Sequence, residues 1–329
     1  MPTSRKLSGL LALAACGVGL IFVNNSNLFV AAVPRRPVLL AHRGLSQDFD
    51  RTNLTNETCT ARRMRPPTHA YLENTIASMQ TSFAAGADIV EFDVHPTTDG
   101  QFAVFHDWTL DCRTDGRGVT RERAMPELKA LDIGYGYTAD DSRTFPFRGK
   151  GVGLMPSLNE VLAAFPKQRF LINIKSNDPN EGHLLASALT NRPIGEIDRL
   201  MVYGGDAPIA TFRAEMPAVR AMSRSSLRSC LVSYVVIGWS GRVPSACRGS
   251  LVFVPVNVAP WLWGWPGRFL GRMNAAGSAV FAIGPYHGGD FSSGLDSADD
   301  IRRLPSGYTG GILTQRDSDH RARRERPGG

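Results

Sequence analysis

Charged residues are scarce in this chain: Asp, Glu, Lys and Arg together make up 20% of 329 residues. That excludes a charge-rich disordered polypeptide, and the 43% apolar fraction points to a globular core. Cysteine is sparse too. Five are present and none stands in a C-x-x-C pair, which excludes the usual structural zinc site. No candidate strand is followed by a Gly-rich dinucleotide fingerprint, so a doubly wound nucleotide-binding sheet is only the second choice of architecture. Aromatic residues are missing from the basic stretch 316–326. The formal charge of +7, concentrated at the chain ends, therefore reads as solvated termini and not as a nucleic-acid arm, which would need stacking platforms. Full spanning length is missing as well, because the first apolar run, 7–23, is slightly short for a membrane helix.

What precedes and follows that run still carries information. Arg5-Lys6 stands before it and Asn24-Asn25-Ser26-Asn27 after it, the pattern of an export signal with its basic side left in the cytoplasm. Three outcomes stay open: a retained signal anchor, cleavage near Ala32, or lipid attachment at Cys16 of Leu13-Ala14-Ala15-Cys16. The apolar residues after Cys16 speak against the third. Each outcome places the domain outside the cytoplasm, periplasmic or extracellular, with or without a membrane tether. In such an oxidising compartment Cys59, Cys112, Cys230 and Cys247 have a natural pairing, Cys59 with Cys112 and Cys230 with Cys247. Three connectivities are available to four cysteines, and the sequence does not choose among them. The expected organisation is a signal or anchor with linker over 1–36, one barrel domain over 37–320, and a disordered basic tail over 321–329.

Strand and helix signals alternate along the barrel region. Apolar runs at 37–42, 89–94, 169–175, 200–203, 219–222, 251–257, 279–283 and 311–314 predict eight parallel strands. Helical spacing at 73–85, 157–165, 206–216, 223–235, 269–276 and 297–304 separates most of them; Ser157 with Glu160 predicts a capping box. Eight βα units predict a TIM-type (β/α)8 barrel with long insertions at 45–71 and 108–156 on its catalytic face. A Cys59–Cys112 disulfide would staple those two insertions together.

The most informative stretch is 89–107. Two β-runs meet at Asp99-Gly100, which predicts a two-residue hairpin loop with Thr98 facing Gln101 and Asp93 facing His106. Strand alternation also puts Glu91 and Asp93 on one face. Two carboxylates and an imidazole thus gather at one place, a trio suited to a divalent cation and a proton-transfer partner.

Several short motifs in order carry a resemblance. Ala41-His42-Arg43-Gly44, Glu73-Asn74-Thr75, the run 86–94 and Thr98-Asp99-Gly100 through His106-Asp107, followed by Thr109-Leu110-Asp111, closely resemble the glycerophosphodiester phosphodiesterase family. The resemblance is strong over about 39–132, recognisable at 172–175 and faint beyond. It implies that His42 and His106 act as general acid and base, with the assignment between them open. It implies that Arg43 and Lys175 bind the phosphate and that Glu91, Asp93 and Asn173 hold Mg²⁺ or Ca²⁺ through hard oxygen ligands. Glu73 supports the site, by orienting Arg43 or by reaching the metal.

The chain departs from the family pattern in places. Asn173 stands where a third acidic ligand is expected, so the site loses a charge and weaker metal binding follows. Cys112 stands where an arginine is expected after Asp111, and Phe281-Ala282-Ile283-Gly284-Pro285 and Thr314-Gln315 alter the outer pocket. The expected activity is hydrolysis of a small glycerophosphodiester to glycerol phosphate and an alcohol. Attack by a neighbouring substrate hydroxyl, through a cyclic intermediate, stays open beside attack by water. The alternatives are a phospholipase D-like enzyme on lipid head groups and a degenerate barrel that only binds phosphodiesters. His95 reads as structural or exposed, and His287 as a loop residue near the substrate side. Trp261, Trp263 and Trp265 read as packing, a choline-type cage or a lipid contact. Asn53 and Asn56 match glycosylation acceptors, relevant only to a eukaryotic secretory pathway.

Overall fold

The computed structural model describes residues 3–30, 35–55, 58–288 and 293–315. Helix α1 (Thr3–Asn25) precedes strand β1 (Val38–His42) and helix α2 (Ile76–Ala85). Strands β2 (Ile89–Pro96) and β3 (Phe102–Val104) follow, then short helices α3 (Met125–Lys129) and α4 (Leu158–Ala164). Next come β4 (Arg169–Ile174), α5 (Pro179–Thr190), α6 (Ile194–Ile197) and β5 (Leu200–Gly204). The sequence α7 (Asp206–Glu215), β6 (Arg220–Ser223), α8 (Arg224–Ile237) and β7 (Leu251–Pro255) continues the alternation. Helix α9 (Gly267–Ala275), β8 (Ala279–Ile283), α10 (Ala298–Arg302) and β9 (Gly311–Thr314) complete it.

The strands run in the order β6-β5-β4-β2-β1-β9-β8-β7, all parallel, with β3 an antiparallel arm on β2. At the seam between β6 and β7 the Ser250 hydroxyl donates to the Ala221 carbonyl at 3.2 Å. Eight parallel strands thus form a nearly closed TIM-type barrel, as the alternating pattern predicts.

Alternation explains why the ring has a packed centre. Leu40, Ile89, Leu171, Met201, Leu251, Phe281 and Leu313 cluster in the interior. Their strand neighbours Ala41, Val90, Phe92, Phe170, Ile172 and Val202 turn outward beneath the helices. Full burial of a side chain such as Phe92 or Phe170 is worth about 1.5–3 kcal/mol. The same parity carries His42, Glu91, Asp93, Asn173 and Tyr203 inward toward the C-terminal ends of the strands. Register aligns His42 with Glu91, and Asp93 with Asn173, which in turn pairs with Tyr203.

Two expectations need correction. The 73–85 segment is helical only from Ile76, because Thr75 and Ser78 form the capping box and Glu73 and Asn74 stay in the preceding loop. The hairpin loop has three residues, not two: the Thr97 amide donates to the Gln101 carbonyl at 2.9 Å, and Gly100 takes φ +76. Val94 then pairs with Val104, and the Phe105 amide donates to the Asp93 carbonyl at 3.1 Å. Phe105 therefore faces Asp93. A slip of one residue would normally turn His106 away, but β3 ends at Val104 and His106 leaves the ladder and turns back toward the site.

The insertions are ordered around a core of their own. Ala61, Met64, Leu72, Phe105, Leu110, Leu128, Tyr137 and Phe147 pack together, and Cys59 and Cys112 are joined by a disulfide across 53 residues of sequence. The second disulfide joins Cys230 and Cys247. Cys16 is free and exposed within α1. Replacing both Cys59 and Cys112 by serine is expected to lower unfolding stability by about 2–4 kcal/mol, read as a shift in denaturant midpoint. An unshifted midpoint would mean that the insertion core holds the two loops unaided.

Among the described residues no helix is long and apolar enough to cross a membrane. Asn53 is exposed. Ala32, Asn56 and the tail from Arg316 lie outside the described residues.

Candidate active site

The strand-end motif His42-Arg43-Gly44 has a backbone reason. Arg43, Gly44 and Asn74 all take positive φ, at +61, +70 and +59. A Cβ on residue 44 would lie 2.6 Å from the Ser78 hydroxyl and 3.0 Å from the Met79 amide nitrogen, so the turn admits only glycine there. Arg43, a non-glycine residue in the left-handed region, is held there by the Asn74 amide donating to its carbonyl at 2.9 Å. The turn aims the Arg43 side chain back over the barrel mouth.

Arg43 then ties three carboxylates together. Its backbone amide donates to Glu91 Oε2 at 3.1 Å. Its guanidinium donates to Glu73 Oε1 at 3.0 Å and lies 3.2 Å from Asp93 Oδ2. Asp93 is fully buried and also accepts from Asn74 Nδ2 at 3.0 Å and Asn173 Nδ2 at 2.8 Å, with Lys175 Nζ 3.5 Å away. Burial alone would raise its carboxyl, but Lys175 and Arg43 hold it well below the usual range. Glu91 accepts from Tyr203 Oη at 2.7 Å. Burial and the Asp93 charge push its carboxyl up to about 8.

The two histidines stand at this cluster. His42 Nε2 lies 3.8 Å from Glu91 Oε2, and burial followed by the Arg43 charge depresses its pKa well below 6.5. His106 Nδ1 is 2.6 Å from Asp107 Oδ1, which fixes Nδ1 as the protonated nitrogen and leaves the Nε2 lone pair available. Burial, then Arg43 and Lys175, lower His106 to about 4, so it is neutral at physiological pH.

Arg113 completes the network, and sequence reasoning overlooked it. It is buried and donates from Nε to Asp107 Oδ2 at 2.9 Å and from Nη2 to Thr60 Oγ1 at 2.6 Å. Nη1 lies 3.2 Å from Glu73 Oε2 and donates to the Tyr137 hydroxyl. A guanidinium thus stands one residue after the position where the resemblance expects it, beside the disulfide cysteine Cys112. Burial would raise Glu73, yet Arg113 and Arg43 keep it ionised below its ordinary value. Glu73 therefore orients both arginines. Asp107, Asn74 and Tyr203 were also missed. Asp107 and Asn74 each stand inside a quoted motif, whereas Tyr203 is recognisable only from strand register.

Other residues fall outside. His95 is buried, with Nε2 3.4 Å from the His106 carbonyl oxygen, a structural place as expected. His287 is exposed in the loop after β8. Trp265 packs against Phe269 and Tyr308, while Trp261 and Trp263 are exposed.

The cation implied by the resemblance is compatible with this donor set only in part. Among the described residues no group of three His, Cys, Asp or Glu side chains is placed to hold a metal. Glu91 and Asp93 fit as two hard oxygen donors, because both carboxyls face the barrel mouth from one strand and a cation would relieve their mutual repulsion. Asn173 aims its amide nitrogen, not its oxygen, at Asp93. Such a site suits a cation held by two carboxylates, with water and phosphate filling the remaining positions.

Comparisons with known proteins identify relatives of this chain. Residues 42–215 match the glycerophosphoryl diester phosphodiesterase family. The chain is 36% identical over 103 residues to a glycerophosphodiester phosphodiesterase of Caldanaerobacter subterraneus, covering 31% of this chain and 39% of that one. It is 34% identical over 131 residues to the glycerophosphodiester phosphodiesterase of Bacillus subtilis, covering 38% and 43%. The chain thus spans about two fifths of the length of these relatives. In fold it is similar to the glycerophosphoryl diester phosphodiesterase domain of a Mycobacterium tuberculosis protein. That likeness has TM-score 0.61 and 18% identity, over 88% of this chain and 98% of that one. An Oleispira antarctica phosphodiesterase solved with sn-glycerol-3-phosphate aligns at TM-score 0.52 and 18% identity, over 88% and 96%. By its matched domain, the chain belongs to the glycerophosphoryl diester phosphodiesterase family.

Proposed function

We propose that this barrel hydrolyses a glycerophosphodiester to glycerol phosphate and an alcohol. The observation that carries the reading is the convergence of His42 and His106 on a mouth whose floor is Arg43, Lys175, Glu91 and Asp93. A phosphodiester anion enters such a site through Arg43, whose planar guanidinium suits phosphate oxygens, and through the Lys175 ammonium. Both charges also offset the negative charge that develops as the phosphorus–oxygen bond breaks. His106 takes the proton of the attacking hydroxyl on Nε2, since Asp107 holds its other nitrogen and stabilises the imidazolium that forms. His42, on the opposite side of the phosphorus, gives a proton to the leaving alkoxide as the phosphorus–oxygen bond breaks, so the alcohol leaves neutral and the proton taken up by His106 restores the balance. Glu91 and Asp93 would hold a divalent cation, whose chemistry when bound is further polarisation of the phosphoryl oxygen.

The experiment is a product assay on the full chain, with glycerophosphocholine and a lysophospholipid as parallel substrates. Release of glycerol phosphate from the soluble diester supports the proposal; cleavage confined to the lysolipid transfers the reading to lipid head groups. Relatives named lysophospholipase D, 35% identical over 112 residues, motivate that second arm. Phosphodiester binding without turnover would favour the degenerate barrel.

Restoring the missing charge tests the metal. Asn173→Glu is expected to tighten Mg²⁺ or Ca²⁺ binding at least about tenfold, read by calorimetric titration of the resting protein. Unchanged affinity would remove position 173 from the ligand set. Export to a periplasmic or extracellular compartment remains part of the proposal, supported by the basic flank before the apolar run and by two disulfides.

A further inference from the structure

Helix α1 leaves its apolar surface bare. Leu10, Leu11, Leu13, Val18, Leu20 and Phe22 are all exposed, Leu13 at 73%. Its C-terminal end, however, is clamped to the barrel. The Asn24 and Asn25 amides donate to the Trp239 carbonyl at 3.1 and 2.9 Å, and Asn27 donates to the Trp265 carbonyl at 2.7 Å. Arg272 returns two bonds, to Asn25 Oδ1 at 3.0 Å and the Asn24 carbonyl at 2.8 Å. The helix is therefore not a loose tether at this point.

Beside the clamp, the barrel exposes an apolar stripe. Val232, Val235, Val236 and Trp239 recur at helical spacing on and just beyond α8, with Val236 65% exposed. The opposite side of α8 is committed to the fold through buried Tyr234 and the Cys230–Cys247 disulfide. Trp263 lies on this side through its indole donating to the Val235 carbonyl at 2.8 Å, and Trp261 next to it is 73% exposed. Exposed Arg228 and Arg242 flank the stripe. Contiguous exposed apolar surface of this kind marks an interaction site. Its features match a bilayer interface: tryptophans suited to the head-group level, arginines suited to anionic lipid, and continuity with a bare apolar helix fixed on the same face.

We propose that the exposed face of α8, with Trp239, Trp261 and Trp263, is a lipid-contacting surface that rests on a bilayer together with α1. The proposal is independent of the hydrolase reading, because it concerns where the barrel sits and not what it cleaves.

Tryptophan quenching by brominated acyl chains tests it, using the full chain on phosphatidylcholine vesicles containing a minority of phosphatidylglycerol. Quenching is expected in the native protein, and the Trp239→Phe, Trp261→Phe, Trp263→Phe combination should reduce it at least about threefold, since the Trp265 ring is packed against Phe269 and Tyr308 and Trp108 belongs to the insertion on the site side. Val232→Asp with Val236→Asp should likewise release the remaining tryptophans from the quencher, while α1 keeps the protein on floated vesicles. Absence of quenching in the vesicle-bound native chain overturns the proposal, as does quenching carried entirely by Trp108 and Trp265. So does a dimer in detergent-free sedimentation that Val236→Asp dissociates without any change in quenching, which would assign the stripe to a second copy of the chain.

Discussion

His106→Gln should reduce kcat on a glycerophosphodiester by about 10²–10⁴-fold with little change in KM. Glutamine keeps a polar side chain of similar reach but has no lone pair that accepts a proton near neutral pH. The phosphate-binding charges, Arg43 and Lys175, are untouched, so ground-state binding should persist. The acid side of the pH profile provides a second reading. Because burial and the neighbouring cations lower His106 to about 4, it stays a free base until the pH falls toward that value. The native enzyme should therefore lose activity near pH 4, not near the ordinary histidine value of about 6.5. Asp107→Asn should act through the imidazole and not on substrate. Asparagine keeps one acceptor oxygen, which Arg113 claims, so an amide N–H is turned toward Nδ1; that favours the wrong tautomer and should lower kcat while moving that acid limb. Full activity of His106→Gln would remove His106 from proton transfer and leave His42 as the sole candidate.

How much of this site is legible in the sequence depends on what carries the information. The inward parity of Glu91 and Asp93 follows from strand alternation alone, as does the placement of His42 at a strand end. The hairpin was misregistered because Asp99-Gly100 fits a two-residue loop as well as the last two positions of a three-residue one. Only the ladder bond from Phe105 to Asp93 decides between them. Helix α5 is not legible as a periodic run, although Asp178 caps it and Pro179 occupies its first turn. Its buried face is only weakly apolar, because Glu181 and Gly182 share it with Leu185, Ala186 and Leu189, so no strong periodic run stands out. Arg113 was missed for a different reason. The resemblance points to position 112 for an arginine, where Cys112 stands, whereas the guanidinium that reaches Asp107 and Glu73 comes from the next residue. The disulfide that cysteine forms holds Thr60 and Arg113 close, and a bond at that distance in sequence has no local signature.

Arg113→Met is expected to be the most destabilising single change near the site, by about 3–5 kcal/mol. Methionine fills similar volume, so the loss does not come mainly from a cavity. It comes from charge: Glu73 is buried, Asp107 is partly buried, and both rely on this guanidinium, at 3.2 and 2.9 Å. In the native protein their carboxyls are held below their ordinary values against a burial effect that alone would raise them. A carboxyl with a depressed folded-state pKa contributes stability above its unfolded value, near 4, and that contribution is lost as the pH falls through the folded value. Without Arg113 burial dominates, and both groups take up protons more readily in the folded state. The difference between native and variant should therefore be largest at neutral pH and shrink as the pH falls through the variant's raised carboxyl values, above about 4, and on toward the lowered native ones. Denaturant midpoints measured across that range distinguish this account from simple loss of packing, which would give a difference independent of pH. Arg113→Lys should recover part of the stability, because an ammonium restores charge, but not the simultaneous bonds to Asp107, Thr60 and Tyr137 that a planar fork makes. Since Asp107 holds His106, that partly stable variant should still turn over slowly, linking the stability of the network to proton transfer at its end.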